Sequence, residues 1–255
     1  MADSLVYLYA VGDAALGDAV PPGLIGVDEA PVRMIVDGRL AAVVSTVDPL
    51  HFSEDALQRN LEDLTWLAAT ARAHHAVVGA IWQHRPVAPL RLATVYLDDD
   101  NVRAVLRANE AAFAGALDRI RGAREWGVKA IVHPQPDADL DPTLAEATLG
   151  PGAAYLQHKR KARDRAARVQ QDVQDAAADL HRTLSAAAAA SHLYPPQDPQ
   201  LSGHREHMVL NAAYLVEESA AGAFTDVVKA WQSPHVDVEL TGPWVPYSFA
   251  TLEES

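Results

Sequence analysis

Eleven histidines are the residues of this chain best suited to acid–base or metal chemistry. His204-Arg205-Glu206-His207 sets two imidazoles three positions apart, but on a strand they face opposite sides. Neither HExxH nor a facial-triad spacing occurs, so no metal site is expected. His74-His75 falls inside a helical pattern with His74 on the apolar stripe, the place of a hydrogen-bonded core histidine. His133, His192 and His235 sit at element ends and read as surface. There is no cysteine, which removes disulfides, thiolate metal sites and cysteine nucleophiles. GxSxG, GxxxxGK[ST] and GxGxxG are absent. Asp98-Asp99-Asp100 has the oxygens for a cation, yet a helix cap explains it fully. Glu217-Glu218 and Glu253-Glu254 are adjacent pairs, a spacing that does not aim two carboxylates at one bond. These patterns point to no catalytic residue and no cofactor.

Chemistry of association is better represented. Lys159, Arg160, Lys161, Arg163, Arg165 and Arg168 crowd one stretch of a chain whose net charge is −13. That balance argues against a general binder of nucleic acid or of anionic membranes. The basic stretch has one aromatic nearby, Tyr155, whereas single-stranded RNA binding interleaves several. A solvated helix face is its plainest reading, and a docking surface for an acidic partner the next. Arg91 interrupts the apolar run LRLATV. A guanidinium on a buried strand face needs a carboxylate or carbonyl partner, for which Glu125 and Glu62 are candidates. The run Gly242-Pro243-Trp244-Val245-Pro246-Tyr247-Ser248-Phe249 carries three large aromatics that must cover something, either the molecule's own core or a partner.

The elements that position these groups follow from pattern. Leu5 to Val11 is a short β-favouring run, read as a strand buried on both faces. Val32 to Val36 and Leu40 to Val47 flank Asp37-Gly38, a strong hairpin signal. Ser53 caps one long helix carrying Leu57, Leu61, Leu64, Ala68, Ala71, Val78 and Ile81, which ends before Pro86. Val87 to Leu97 reads as a single strand. Asp98 to Asp100 start a second helix with Val102, Val105, Leu106, Phe113, Leu117 and Ile120 on its stripe, closed by Gly122. Glu125 to Val132 is a strand. Residues 134–150 are rich in Pro and Asp and read as a connection. The longest helix runs from about Tyr155 to Ala190, with a stripe of Ala162, Ala166, Val169, Val173, Ala176, Leu180 and Leu184. A weak strand near Ser191 to Tyr194, a strand over Glu206 to Val216, a helix over Glu217 to Trp231 and a strand over Val236 to Leu240 complete the series. No apolar run reaches the roughly 18 residues of a membrane span. The N-terminal stretch is acidic and unlike a signal peptide, so a cytoplasmic protein is expected.

Strands and helices mix without a strict βαβα repeat, which favours α+β: two domains of mainly antiparallel sheet with helices on one face. Residues 1–123 form the first, residues 124–241 the second, and 242–255 an extended aromatic and Pro-rich tail. The second has the β-α-β-β-α-β order of ferredoxin-like folds.

Taken in order, these segments resemble the gas vesicle protein L/F family. LTGPWVPYSFA at 240–250 looks like its closing Gly-Pro-Trp-x-Pro-Tyr-Ser-Phe block, which contains Gly242 and Pro243. LNAAYLV at 210–216 is similar to its Asn-Ala-Ala-Tyr/Phe-Leu-Val strand. GAAYLQHKR at 152–160, AHHAVV at 73–78, PVAPLRLATVY at 86–96, DGRLAAVVSTV at 37–47 and VYLYAV at 6–11 also match. Leu92-Ala93 stands where Phe-Gly is commoner, and Val245 where a Pro is commoner. The resemblance implies two α+β domains related to the ferredoxin-like fold, and a non-enzymatic accessory role in gas vesicle formation. The partners it implies are the small, hydrophobic major shell protein and other gas vesicle accessory proteins. Binding the shell protein would limit its aggregation, by β-augmentation or helix docking. Trp244, Tyr247 and Phe249 are the candidate contacts, with Tyr214 and Leu215 beneath them and Arg160 and Arg163 as a charged rim. Arg91 and His74 are structural in this reading. The competing class is a ferredoxin-like sensor with a small molecule between sheet and helices, which requires a closed apolar pocket with convergent polar groups.

Overall fold

The apolar run at the N-terminus becomes the strand around which the first sheet is built. In the computed structural model, which describes residues 4–133, 151–195 and 207–250, β1 (Leu5–Asp13) is buried along nearly its whole length. A strand of continuous apolar character is stable only with both faces covered, and the centre of this sheet is covered on both rather than one. β3 (Leu40–Val47) pairs antiparallel with one edge of β1, from Leu5 opposite Val47 to Asp13 opposite Leu40. The register slips between Leu8 and Ala10, which leaves Tyr9 as the extra residue of a bulge. β2 (Val32–Asp37) lies outside β3, and Asp37 pairs with Leu40. Gly38 and Arg39 therefore form a two-residue turn. Gly38 takes φ 58°, the demand that a type II′ turn makes of its first central position.

The other edge of β1 carries two short strands, β4 (Ala88–Pro89) and β5 (Val95–Tyr96), where the sequence suggested one. The chain cannot stay extended between them because Ala93 adopts a left-handed φ of 62°. The Thr94 hydroxyl closes the turn by donating to the Arg91 carbonyl at 2.7 Å. Arg91 lies in this loop with an exposed side chain, not on a buried strand face.

A short α1 (Pro49–Phe52) precedes Ser53, and the single helix expected after it is two: α2 (Glu54–Asn60) and α3 (Leu64–Trp82). Asp63 causes the break. Its carboxylate accepts from the N–H groups of Thr65 and Trp66, the geometry of an N-cap. The restart changes the helical phase, so Thr70, His74, Val77, Val78 and Ile81 are buried while Leu64 is 78% exposed. α4 (Asp99–Ala108) and α5 (Glu110–Ile120) likewise split at Asn109, whose amide donates to the Val105 carbonyl. Asp98 caps α4 through the Asn101 N–H. Arg33 of β2 ties this region together with a two-pronged bond to Asp99, at 2.7 and 3.0 Å.

Contacts divide the chain into residues 1–125 with 243–255, and residues 126–242. β6 (Ala123–Val132) carries the chain out of the first unit and β9 (Val236–Trp244) carries it back. After β9 the chain does not stay extended: Tyr247–Ala250 form a helical turn, α8, that packs on α5. Glu125 accepts from both the N–H and the hydroxyl of Ser248, and Arg119 donates to the Phe249 carbonyl. Val245, Phe249 and Ala250 are buried.

Within the second unit, α6 (Pro151–Ala186), β7 (Ala190–Leu193), β8 (Met208–Glu217) and α7 (Ala221–Ala230) lie between β6 and β9. The sheet order is β7-β8-β6-β9, with β7 antiparallel to β8. Val173, Ala177, Leu180 and Leu184 of α6 enter the core beside Tyr214, Phe224 and Val228. That is the expected stripe for the second half of the helix, except that Ala177 is buried where Ala176 was expected and Ala176 is only partly buried. The first half of the helix differs, since residues 159–168 are exposed on every face.

Candidate functional site

Several buried polar groups of the first unit bond to one another and to the backbone. Tyr7 accepts from the Ala93 N–H at 3.1 Å, which leaves its own proton for Nδ1 of His74, 2.9 Å away. His74 is 3% exposed, and its Nε2 has no hydrogen-bond partner. Burial, helped by neighbouring His75, lowers its pKa from the usual 6.5 to about 4, with a small opposing effect from the Leu90 backbone. Burial likewise raises the Tyr7 hydroxyl well above its ordinary range. Tyr9 accepts from the Val27 N–H at 2.9 Å and donates to Ser45, which donates to the Pro31 carbonyl. Gly26 permits this relay, because a Cβ there would lie 2.0 Å from the Tyr9 oxygen. These are groups that hold a core together.

The second unit repeats the device. Tyr214, fully buried, lies 2.9 Å from Nδ1 of His181 on α6. Ser185 is near the same nitrogen and bonds to Ser191 of β7. Among the described residues no group of three or more His, Asp or Glu is placed to hold a metal ion.

The first unit also leaves apolar surface open. A groove of about 550 Å³ in the first unit is lined by Leu5, Phe52, Leu57, Ala93, Val95 and Leu97. Ser53, Glu54 and Asn101 add polar atoms to it. β5 bounds it, pairs only with β1 among the described residues, and so presents an unused edge. Leu97 is 64% exposed. Sequence reasoning missed this groove. An apolar residue just before an N-cap reads as a hydrophobic staple onto the fourth helical residue, here Val102, but Leu97 turns outward instead.

The residues singled out from sequence are scattered by the fold. Tyr214 and Leu215 are buried within the second unit, and Phe249 is buried within the first, so a partner cannot reach them in the folded chain. Tyr247 stacks on His75 with ring centroids 5.9 Å apart, and burial pushes its hydroxyl up to about 12. Trp244 is 49% exposed and stays available. Gly242 takes φ 118° in the last stretch of β9, just before Pro243, where a side chain would be strained. Arg160 and Arg163 are exposed on α6. His204 and Glu206 lie outside the described residues, and His207 is exposed just before β8.

Fold and surface together define a class: an α+β protein of two antiparallel sheets whose buried polar groups are structural and whose open features are apolar clefts and a basic helix. The family model described as gas vesicle synthesis protein GvpL/GvpF matches residues 5–251. Gas vesicle protein L of Streptomyces sp. (strain CB03234) is 42% identical over 261 residues, covering 99% of this chain and 95% of that protein. Gas vesicle protein F of the same strain is 29% identical over 89% of this chain and 91% of that protein. The crystal structure of GvpF from Anabaena sp. PCC7120 superposes with a TM-score of 0.63 at 17% identity, covering 98% of each chain. The chain belongs to the GvpL/GvpF gas vesicle family, and takes part in gas vesicle formation. No helix among the described residues is long and apolar enough to cross a membrane.

Proposed function

We propose that this protein is a non-enzymatic assembly factor that binds the hydrophobic major shell protein in the cytoplasm and limits its aggregation while a gas vesicle is nucleated. The observation that carries the reading is the open groove beside β5. A groove of that size accepts a few large apolar side chains, and the adjoining strand edge offers backbone hydrogen bonds to an added strand. An exposed apolar patch of this kind on a soluble body is a common mark of a binding site. The chain's net charge of −13 would keep such a complex dispersed. Trp244 is a second exposed aromatic available to a partner. We read the second unit as ferredoxin-like, a view supported by its β-α-β-β-α-β order and its β7-β8-β6-β9 sheet.

Co-expression with the shell protein tests the reading. The intact chain should keep the shell protein soluble and co-purify with it. Leu97→Glu, a change at an exposed position, should leave the fold intact by circular dichroism and lower the soluble shell fraction severalfold. Equal precipitation with and without the chain would sink the proposal. Full activity of Leu97→Glu would move the contact away from this groove.

A further inference from the structure

Residues 159–168 of α6 contribute nothing to the core of the second unit. Residues 159–168 are exposed on every face, and they hold six cations and one anion, a net +5 in a chain of −13. Like charges four apart, Lys159 with Arg163 and Lys161 with Arg165, destabilise a helix. Successive residues turn by about 100° around the axis. Ala162, Ala166, Val169 and Val173 therefore fall on one narrow stripe, which runs from the exposed half toward the core. Where the stripe meets the sheet, Val132, Val169, Val173 and Val209, with Gln170 and His207, line a cleft of about 280 Å³. The cations are not spread evenly about this stripe. Lys159 and Arg163 flank it on one side and Arg165, with Lys161 farther round, on the other, while Arg160 and Arg168 lie roughly opposite, well over 90° away.

We propose that residues 159–168 and the cleft at their base form a docking site for an acidic amphipathic helix of a partner protein. The partner lays its apolar stripe along Ala162, Ala166 and Val169 and seats larger side chains in the cleft. Its carboxylates pair with Lys159, Arg163 and Arg165, as charges flanking a helix–helix seam do. The match of charge makes the occupant acidic, and the seam of small side chains makes it a helix. A nucleic acid would use the cations but has nothing to place along the stripe. The proposal is independent of the shell-protein reading, which concerns a groove in the other unit.

The test uses the full chain and a synthetic four-heptad helical peptide with an Ala/Leu seam flanked by Glu, followed by fluorescence anisotropy. A peptide with Gln in place of Glu and a single-stranded oligonucleotide serve as comparisons. The Glu peptide should bind saturably, and more weakly as salt rises from about 0.05 to 0.3 M. Arg163→Glu with Arg165→Glu should weaken it roughly tenfold or more, and Arg160→Glu with Arg168→Glu by less than about threefold. Both double variants change net charge equally, so non-specific attraction would weaken them alike. Equal weakening overturns the proposal, as does tighter binding of the oligonucleotide, equal binding of the Gln peptide, or no saturable binding of the Glu peptide.

Discussion

A neutral histidine in an apolar core makes stability depend on pH in one direction. His74 has a pKa near 4 when folded and 6.5 when unfolded. Between these values the unfolded chain binds a proton that the folded chain refuses, so stability falls as pH drops from 6.5 to 4 and levels off below. The contribution lost by pH 5 is about 2 kcal/mol. Urea unfolding at pH 7 and pH 5 should show that excess loss relative to His74→Phe, which keeps a ring and removes the titration. Ala93 offers the opposite kind of test. It holds a left-handed φ of 62°, a conformation glycine adopts freely, and its N–H is committed to Tyr7. Relief of that conformation exceeds the entropy that glycine adds to the unfolded chain, so Ala93→Gly should stabilise by about 0.5–1 kcal/mol. Thermal melts of the two proteins decide it, and a lower melting temperature for the glycine variant would refute the strain argument.

Secondary-structure elements show best where reading a sequence succeeds. β1, the β2–β3 hairpin, β6 and β8 were legible, because β-branched runs and turn residues act locally; the weak strand expected near 191–194, which has no β-branched run, lies at Ala190–Leu193. The helix errors share one cause. Asp63 and Asn109 are polar residues inside long helical patterns, and each ends one helix and starts another. A stripe read across the break then assigns Leu64 to the core, although it is exposed. Ala93 hides a turn inside an apolar run because nothing in an alanine advertises a positive φ. The candidate site was less legible still. Phe249 and Tyr214 were marked by their chemistry as contact residues, but an aromatic looks the same in sequence whether it meets a partner or its own core. The closing segment separates the two cases. Phe249→Ala should cost about 3–5 kcal/mol of stability through the cavity it leaves. Trp244→Ala, at a half-exposed position, should shift the melting temperature by only a degree or two. Calorimetry on both variants checks this, and similar losses would mean that Trp244 is also structural.

On the scale of the whole molecule, the two proposed docking surfaces lie on different units. The apolar groove belongs to the first and the basic half of α6 to the second. Variants of Leu97 and of Arg163 with Arg165 should therefore act on separate partners, and their effects should add when combined. A combined variant measured in both binding assays reads this directly; mutual influence between the assays would indicate one shared partner. The return of the chain at residues 243–250 also sets an order in time. Glu125 must wait for Ser248, more than 120 residues later in synthesis. At ribosomal speeds that interval is on the order of ten seconds. The socket for Val245 and Phe249 stays empty throughout, so the part of the protein made first is the part completed last. A nascent chain stalled inside the second unit would display that unfilled apolar socket to chaperones and proteases.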